Sequence, residues 1–383
     1  MNPQQSVMFA TASLGGGHLS TARTIAEALT RFHGDSCTSD IVDVFTESRS
    51  ALDGLFKTTY NYMCNRAPLL YQVFYALTDH PAIVSFLQSF SSGKVLRCME
   101  ELVANRRPRV IVCNYPLFTR LAVEACARVG HNARVIEVVS DAFIAHSYWF
   151  STARMDCIIV PSEVLYRRAL ALGIPAHKVL RTGYPINLKF DRRMSAEERD
   201  AFKVSLGIPA AAKTVLIAGG GEGLKIGSAL VRAMLAERLD AYLLVVCARN
   251  AALKQELDAL AATHPRLKPF GFVSTMYELI NVADVVVAKG GPATVFEVLS
   301  QRKPLIIPEF IRPHEKGNVD FVVQSGVGSY DHDPVSVTRT VREYLENPAA
   351  GTAVEKAYNA LDLTNGTRTI ADVIAAWAGG RCP

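Results

Sequence analysis

The 383-residue sequence contains no apolar run of the roughly 18 residues that a bilayer-spanning helix requires. Its opening segment, MNPQQSVMFA, has no basic stretch of the kind that begins a signal peptide, and it leads directly into an apolar strand pattern. Because both features are missing, we expect a cytoplasmic protein without a membrane-spanning helix.

Paired cysteines are also missing. The eight cysteines are scattered and form no C-x-x-C pair, so we expect reduced core thiols rather than a disulfide framework or a zinc site. The triplet Asp331-His332-Asp333 superficially resembles a metal-binding acid pair. It lies outside any strand–helix pattern, which favours a solvated turn, and no metal ligand is predicted.

The charge is close to balanced. Lysine and arginine exceed aspartate and glutamate by 41 to 36, and the sequence has no dense basic run. This mild excess suits an anionic substrate or an anionic membrane surface, and no nucleic-acid partner is predicted.

The remaining composition is that of a large folded protein. Hydrophobic residues make up 49% of the sequence, and its length fits two domains of about 150–200 residues each. Apolar strand patterns alternate with helical patterns in both halves, which predicts an α/β protein of two Rossmann-like, doubly wound domains facing across a cleft. We place the domains at residues 1–184 and 200–364, and we expect the final helix, within residues 365–383, to pack back on the first domain.

The stretch over residues 285–328 has the strongest pattern for a ligand site. A β-branched strand is followed by Lys289-Gly290-Gly291-Pro292, a helix that we expect Thr294 to cap, a second strand and a polar loop. The glycines and the helix N-terminus suit a phosphate, and Glu297, one turn further on, suits a ribose diol. An ordinary β/α turn with a solvated loop is the alternative.

A second glycine loop, over residues 219–223, follows the strand predicted at residues 214–218. Alone such a loop is weak evidence, but together with the turn after residue 288 it predicts two glycine-lined strand ends around one diphosphate. Arg249 lies just beyond the next predicted strand. Phe272, in the stretch over residues 268–273, is interpreted as core more readily than as a platform for a base.

The first half carries its own candidate site. A strand at residues 6–12 runs into Gly15-Gly16-Gly17-His18 and a helix over residues 19–31. At the mouth of that helix a neutral His18 can take a proton from an attacking hydroxyl, although a capping or solvated histidine is the simpler interpretation. Asp141 follows another predicted strand, where active-site groups of parallel sheets collect, and it could orient His18 or an acceptor.

These segments resemble glycosyltransferase family 28, and more narrowly the monogalactosyldiacylglycerol synthases and processive diacylglycerol glucosyltransferases. The family's G-G-G-H loop is matched by residues 15–18, its K-x-G-P-x-T-x-x-E segment by residues 289–297, and its Q-E-x-G-N loop by residues 314–318. Residues 140–150 match its T-D-x-x-x-x-H-x-x-W-F segment with a serine in first place. His314 replaces the glutamine that faces the donor hexose in the family, which leaves the identity of the sugar open.

The resemblance implies the GT-B architecture and transfer of a hexose from UDP-glucose or UDP-galactose to a lipid hydroxyl, with inversion. Diacylglycerol is the expected acceptor, and neither a tightly bound cofactor nor a required metal is expected. The catalytic pair would be His18 and Asp141. The implied donor contacts are Gly219, Gly220, Gly221, Glu222, Arg249, Phe272, Val273, Lys289, Gly290, Gly291, Pro292, Ala293, Thr294, Glu297, His314, Glu315 and Asn318. The implied acceptor-side residues are Gly16, Gly17, Tyr115, His146 and Trp149.

A segment over residues 52–90 is rich in aromatic and aliphatic side chains. It predicts either helix faces that cover the first sheet or an interfacial segment, and the resemblance places it beside the acceptor at the cytoplasmic face of a membrane. Three other functions stay open: transfer to another hydrophobic acceptor, such as a lipid intermediate or natural product; epimerisation of a nucleotide sugar; and non-catalytic sensing of one.

Overall fold

The computed structural model describes residues 4–13, 17–49, 59, 62–63, 67–80, 83, 93–220 and 223–381. Gly16, Gly221 and Glu222 of the predicted site lie outside these residues, as does much of the segment 52–90. Contacts divide the chain into two units. The first contains residues 1–188, 312–314 and 364–383, and the second contains residues 189–311 and 315–363.

The first unit is built on a parallel sheet of six strands in the order β2-β1-β3-β4-β5-β6. The strands are β1 Gln5–Thr11, β2 Cys37–Asp43, β3 Val110–Cys113, β4 Arg134–Val138, β5 Cys157–Val160 and β6 Val179–Arg181. Strand β1 lies between β2 and β3, so the strand order reverses at β1. In open α/β sheets ligands bind at such a reversal, outside the carboxyl ends of the strands.

Helices cover both faces of this sheet because alternate strand residues point to opposite sides. Met8 and Ile111 belong to the core on one face, and Phe9 and Val110 belong to the core on the other. The second core also contains Ile370, Ala371 and Ile374 of the helix Thr367–Ala378. The helices described in this unit are Gly17–His33, Val44–Glu47, Pro68–Thr78, Gly93–Arg106, Phe118–Val129, Glu163–Ala171 and Thr367–Ala378.

The second unit has its own parallel sheet, in the order β12-β11-β10-β7-β8-β9. Its strands are β7 Thr214–Ala218, β8 Tyr242–Val246, β9 Leu267–Phe270, β10 Val285–Ala288, β11 Leu305–Ile307 and β12 Gly328–Tyr330. The helices described here are Ala196–Ser205, Gly227–Ala236, Ala251–Ala261, Met276–Val282, Pro292–Ser300, Lys316–Gln324, Pro334–Glu346 and Pro348–Asn359. Two parallel sheets flanked by helices confirm the predicted α/β fold class.

Some details of the prediction were wrong. The helix after β10 begins at Pro292 with Gly291 as its N-cap, so Thr294 lies inside the first turn and caps nothing. Proline is favoured at the first helical position because its φ is already helical and its missing N–H would have had no partner there. The helix Pro348–Asn359 was not predicted.

Residues 331–333 form neither helix nor strand, and the Asp333 carboxylate caps the helix Pro334–Glu346 by accepting the Ser336 N–H. Within the described ranges, no helix combines the length and apolar character needed to cross a bilayer.

Candidate active site

His18 lies at the carboxyl end of β1, in the first turn of the helix Gly17–His33. The side-chain amide of Asn114 donates to the His18 carbonyl and fixes its backbone to the end of β3. The ring Nδ1 lies 2.7 Å from the Ser140 hydroxyl oxygen, and Tyr115 meets the ring edge-on with centroids 5.1 Å apart. Since Nδ1 is held by Ser140, Nε2 is the ring atom left to exchange a proton with a substrate.

Burial is the main influence on the protonation of His18, and it lowers the pKa of the imidazole below its usual value. The Asp141 carboxylate opposes that effect because its negative charge stabilises the imidazolium. The net result is a lowered pKa, so the neutral form, which can accept a proton, predominates at pH 7.

Asp141 has a different direct partner from the one the sequence suggested. Its Oδ2 accepts the indole N–H of Trp149 at 2.8 Å, and Trp149 is only 1% exposed. The residue that holds the imidazole is Ser140, which the sequence analysis did not assign a role. Its position one residue before Asp141, at the end of the same strand, was the sequence feature that could have identified it as a site residue.

His146 is part of a packed polar cluster in the first unit. Its Nε2 lies 3.1 Å from the Thr78 hydroxyl, and its ring meets Tyr75 edge-on at 4.7 Å. Burial lowers the pKa of His146, and the nearby Asp79 carboxylate partly opposes that shift. Asp79 in turn accepts hydrogen bonds from the Ser147 backbone and from Arg168. These contacts hold the end of the helix Pro68–Thr78 against the segment that follows Asp141.

In the second unit, the glycine loop after β7 requires residues without side chains. A Cβ on Gly219 would lie 1.9 Å from the Gly223 carbonyl carbon, and Gly220 has a φ of +69°. No other residue type fits both positions without strain. Gly219 and Gly220 therefore present backbone alone at the carboxyl end of β7.

The second glycine turn is fixed by a hydrogen-bond network. Lys289 Nζ donates to Glu315 Oε1 at 2.7 Å, and the Ile311 N–H donates to Glu315 Oε2 at 2.5 Å. The Asn318 amide donates to the Gly290 carbonyl at 2.8 Å, and Asn318 is only 1% exposed. In this structure Glu315 and Asn318 therefore position the turn and orient Lys289.

Glu309 is a further residue that the sequence analysis missed. It follows β11, and its carboxylate oxygens lie 3.1 and 3.2 Å from the Lys225 backbone nitrogen, whose N–H they accept. Burial raises the pKa of Glu309, while Lys225 and Lys289 lower it. This carboxylate connects the glycine loop after β7 to the loop after β11. An acidic residue two positions after a buried strand was the sequence feature that could have identified it.

The helix Pro292–Ser300 places three of the predicted donor contacts, Pro292, Ala293 and Thr294, in its first turn, where backbone N–H groups lack helical partners. Glu297 lies on the next turn and is half-buried. Burial raises its pKa to about 7, and Lys189 partly opposes that rise. A carboxylate that ionises near neutrality can accept hydrogen bonds from a diol or be neutral, depending on pH.

The residues predicted near the base differ in exposure. Phe272 is 76% exposed, so its interpretation as a core residue was wrong, and its ring is free to stack. Val273 is half-buried and Arg249 is exposed. Both Arg249 and Phe272 follow the carboxyl ends of neighbouring strands, β8 and β9.

His314 was predicted beside the donor hexose, but residues 312–314 group with the first unit. Its Nδ1 lies 3.3 Å from the Tyr71 hydroxyl, and its ring is stacked against Tyr75 with centroids 6.4 Å apart. The structure thus brings His314 to two tyrosines of the helix Pro68–Thr78. Among the described residues, no group of three or more His, Cys, Asp or Glu side chains is arranged to hold a metal ion.

Both halves of the chain match family models of known proteins. Residues 18–186 match the family model of monogalactosyldiacylglycerol synthase, and residues 214–364 match that of the glycosyltransferase family 28 C-terminal domain. The monogalactosyldiacylglycerol synthase of Spinacia oleracea is 26% identical over 368 residues, which cover 93% of this chain and 69% of that protein. Monogalactosyldiacylglycerol synthase 1 of Arabidopsis thaliana is 26% identical over 371 residues, covering 94% of this chain and 68% of that protein.

Solved structures share the fold at lower identity. MurG of Acinetobacter baumannii superposes with a TM-score of 0.61 at 15% identity, covering 97% of this chain and 99% of that one. The UDP-GlcNAc 2-epimerase of Neisseria meningitidis gives a TM-score of 0.60 at 14% identity, covering 99% of this chain and all of that one. These likenesses establish the GT-B architecture.

Proposed function

Because the chain belongs to the monogalactosyldiacylglycerol synthase group of glycosyltransferase family 28, we propose that it transfers a hexose from UDP-glucose or UDP-galactose to the hydroxyl of diacylglycerol. The observation that carries this proposal is the neutral imidazole of His18, held through Nδ1 by Ser140 beside the Asp141 carboxylate. The matched families are transferases, and a base of this kind serves an attacking hydroxyl.

In the proposed reaction the acceptor oxygen attacks C1 of the sugar on the face opposite the diphosphate. The new C1–O bond forms as the bond to the diphosphate oxygen breaks, and UDP leaves with the electron pair. His18 Nε2 takes the hydroxyl proton, and the nearby Asp141 carboxylate stabilises the imidazolium that results. A single displacement of this kind converts an α-linked donor into a β-glycoside.

Charge on the departing diphosphate is met by backbone N–H groups and by a lysine in this proposal. The first turn of the helix Pro292–Ser300 and the loop containing Gly219 and Gly220 offer N–H groups. Lys289 supplies a positive charge, with Glu315 as its partner before the donor arrives. Glu297 accepts hydrogen bonds from the ribose hydroxyls once it is ionised.

The helix Pro68–Thr78 supports a lipid acceptor. Its large apolar side chains on one side are exposed, and Leu69 is 77% exposed. The exposed set is Leu69, Leu70, Val73, Phe74 and Leu77, which we call the apolar face of this helix. Contiguous exposed apolar side chains of this kind mark an interaction surface. We propose that this face enters the surface of a membrane.

The thiols support the choice of the cytoplasmic side. Six cysteines in the described part of the chain are free and not disulfide-bonded, which suits a reducing compartment. We therefore propose peripheral binding at the cytoplasmic face of a membrane that contains the acceptor lipid.

Release of UDP from a panel of UDP-sugars, with and without diacylglycerol in mixed micelles, tests this function. We expect lipid-dependent release with one hexose and a glycolipid product with inverted configuration at C1. Interconversion of the UDP-sugar without UDP release would support epimerisation instead. Donor binding without any turnover would indicate a sensor.

Replacing His18 by alanine tests the base. We expect the rate to fall by about 10²–10⁴ while the dissociation constant for UDP stays unchanged, because the proposed contacts to UDP itself lie in the second unit. The matched control is His177→Ala, which removes an exposed histidine of the first unit. Near-normal turnover by His18→Ala would remove His18 from the mechanism.

A further inference from the structure

The hydroxyl of Tyr75 is buried and has no hydrogen-bond partner in the described part of the chain. Tyr75 is 9% exposed and lies on the inner side of the helix Pro68–Thr78, together with Tyr71 and Thr78. A buried donor without an acceptor destabilises a folded protein, so native structures keep few of them. An orphaned hydroxyl next to a candidate active site suggests that its acceptor belongs to a ligand.

The surroundings of Tyr75 restrict the chemistry of that acceptor. Burial and the negative charges of Asp141 and Asp79 raise the pKa of the phenol far above its ordinary value. The hydroxyl is therefore a neutral donor throughout the physiological range. The same two carboxylates disfavour an anion at this position, which argues against a phosphate and for a neutral oxygen.

The position of Tyr75 connects it to both the catalytic residues and the apolar face. Its ring packs edge-on against His146 at 4.7 Å, and the Asp141 carboxylate is close enough to influence its ionisation. Phe74, the preceding residue, belongs to the exposed apolar face of the same helix. One helix thus presents aliphatic side chains outward and an unpaired hydroxyl inward.

We propose that the Tyr75 hydroxyl is a positioning and specificity residue that donates a hydrogen bond to an ester carbonyl oxygen of the acceptor lipid. This proposal rests on the proposed function. A diacylglycerol offers one hydroxyl, whose proton goes to His18, and two ester carbonyl oxygens that can only accept hydrogen bonds. Burying one of those carbonyls without a donor would be unfavourable, and Tyr75 supplies the donor.

The proposal predicts which acceptors the protein distinguishes. A dialkylglycerol has the same hydroxyl and chain length, but ether oxygens take the place of the ester groups and no carbonyl is present. We expect the unmodified protein to prefer the diacyl over the dialkyl acceptor in kcat/KM by about tenfold, the value of one neutral hydrogen bond. We expect Tyr75→Phe to lose that preference by slowing only the diacyl reaction.

Thermal unfolding of the ligand-free protein separates this role from a structural one. Tyr75→Phe keeps the ring against His146 and removes an unpaired hydroxyl, so we expect its Tm to be unchanged or higher. Tyr358→Phe is the matched control, since the Tyr358 hydroxyl donates to the Lys303 carbonyl at 2.6 Å in the second unit. We expect that variant to lower the Tm and to leave the acceptor preference intact.

Three outcomes would overturn the assignment of Tyr75: a lower Tm for Tyr75→Phe, equal slowing with both acceptors, or an unchanged diacyl preference. Failure of the proposed function itself gives a different result, because the unmodified protein would then release no UDP with either acceptor.

Discussion

Burial shifts the pKa values of His18 and Glu297, two of the ionisable side chains with a proposed role, in opposite directions. It lowers the pKa of His18, which is positively charged when protonated, and raises that of Glu297, which is negatively charged when ionised. Each shift sets the pH range in which that side chain has the protonation state its proposed role requires. The pH dependence of catalysis and of donor binding therefore gives two independent tests.

Asp141→Asn tests the electrostatic role of Asp141. Proposed catalysis needs neutral His18, so activity falls as the pH decreases through the pKa of the imidazole. Asp141 raises that pKa, so removing its charge should move the acid limb of the kcat/KM profile to lower pH. An asparagine oxygen can still accept the Trp149 N–H, which preserves the local packing.

A profile of kcat/KM measured from about pH 4.5 to about pH 8 covers this limb. Asp333→Asn is the control, because it replaces a helix-capping carboxylate of the second unit by another good cap. An acid limb that stays in place, or moves to higher pH, in Asp141→Asn would contradict the electrostatic role.

The raised pKa of Glu297 predicts that the protein binds the nucleoside more tightly as the pH increases. Burial raises its pKa to about 7, so the carboxylate is largely protonated below that pH and ionised above it. Only the ionised form accepts hydrogen bonds from both ribose hydroxyls, and we expect uridine to bind about tenfold tighter well above pH 7 than well below it. Calorimetric titration with uridine avoids the ionisation of the UDP phosphates.

In the Glu297→Gln variant we expect weak uridine binding that does not change with pH. If the unmodified protein binds uridine equally well on both sides of pH 7, the carboxylate does not hold the ribose.

At the scale of single elements, the exposed apolar face of the helix Pro68–Thr78 predicts that this helix binds to membranes. Leu69 and Leu77 are both exposed, so replacing them with glutamine should leave the fold intact. Each fully buried leucine contributes about 1.5–3 kcal/mol to apolar association. We expect the double variant to bind phosphatidylcholine–diacylglycerol vesicles at least tenfold more weakly, and sedimentation measures this directly.

The control for that experiment is Val204→Gln with Val335→Gln, which changes two exposed valines of the second unit. We expect vesicle binding by this control to match that of the unmodified protein. An equal loss in both double variants would show that the apolar face of the helix Pro68–Thr78 is not the contact.

The elements also show what a sequence can predict. Strand β7 was placed at its observed bounds and β10 to within one residue, because buried parallel strands give continuous β-branched runs. The helix Pro348–Asn359 escaped prediction because only Val354 and Tyr358 are buried, and its remaining residues show no regular apolar pattern. Thr294 was chosen as a cap by residue type, although the proline two positions earlier gave the stronger start signal.

The candidate site was predictable where it depends on backbone and less so where it depends on side-chain orientation. Gly219 and Gly220 could be predicted because their conformations exclude other residues. Three other features depend on tertiary contacts. They are the hydrogen bond between Ser140 and His18, the hydrogen bond from the Lys225 N–H to the Glu309 carboxylate, and the buried Tyr75 hydroxyl without a partner. Such contacts join residues far apart in the chain and leave no local pattern.

At the scale of the whole molecule, we expect a substitution in the helix Thr367–Ala378 to destabilise the first unit and not the second. Ile374 is fully buried in the core it shares with β1 and β3. Ile374→Ala should destabilise the first unit by about 2–5 kcal/mol, the usual cost of removing a large aliphatic side chain from a core. Because UDP is proposed to bind the second unit, we expect binding of UDP to survive at temperatures that abolish transfer.

Thr369→Ala on the same helix is the control, since Thr369 is exposed, and it should leave the unfolding profile unchanged. Parallel loss of UDP binding and of transfer in Ile374→Ala would show instead that the chain unfolds as one cooperative body.

The return of this last helix also has a consequence for synthesis on the ribosome. All six strands of the first sheet and the helix Gly17–His33 emerge before the second unit is translated, but the other helix in the core on that face, Thr367–Ala378, emerges after it. At about 5–20 residues per second, the part of this face that the last helix covers stays exposed for on the order of ten seconds. The first unit, although made first, is therefore completed last, and its nascent form has an apolar surface that chaperones can bind.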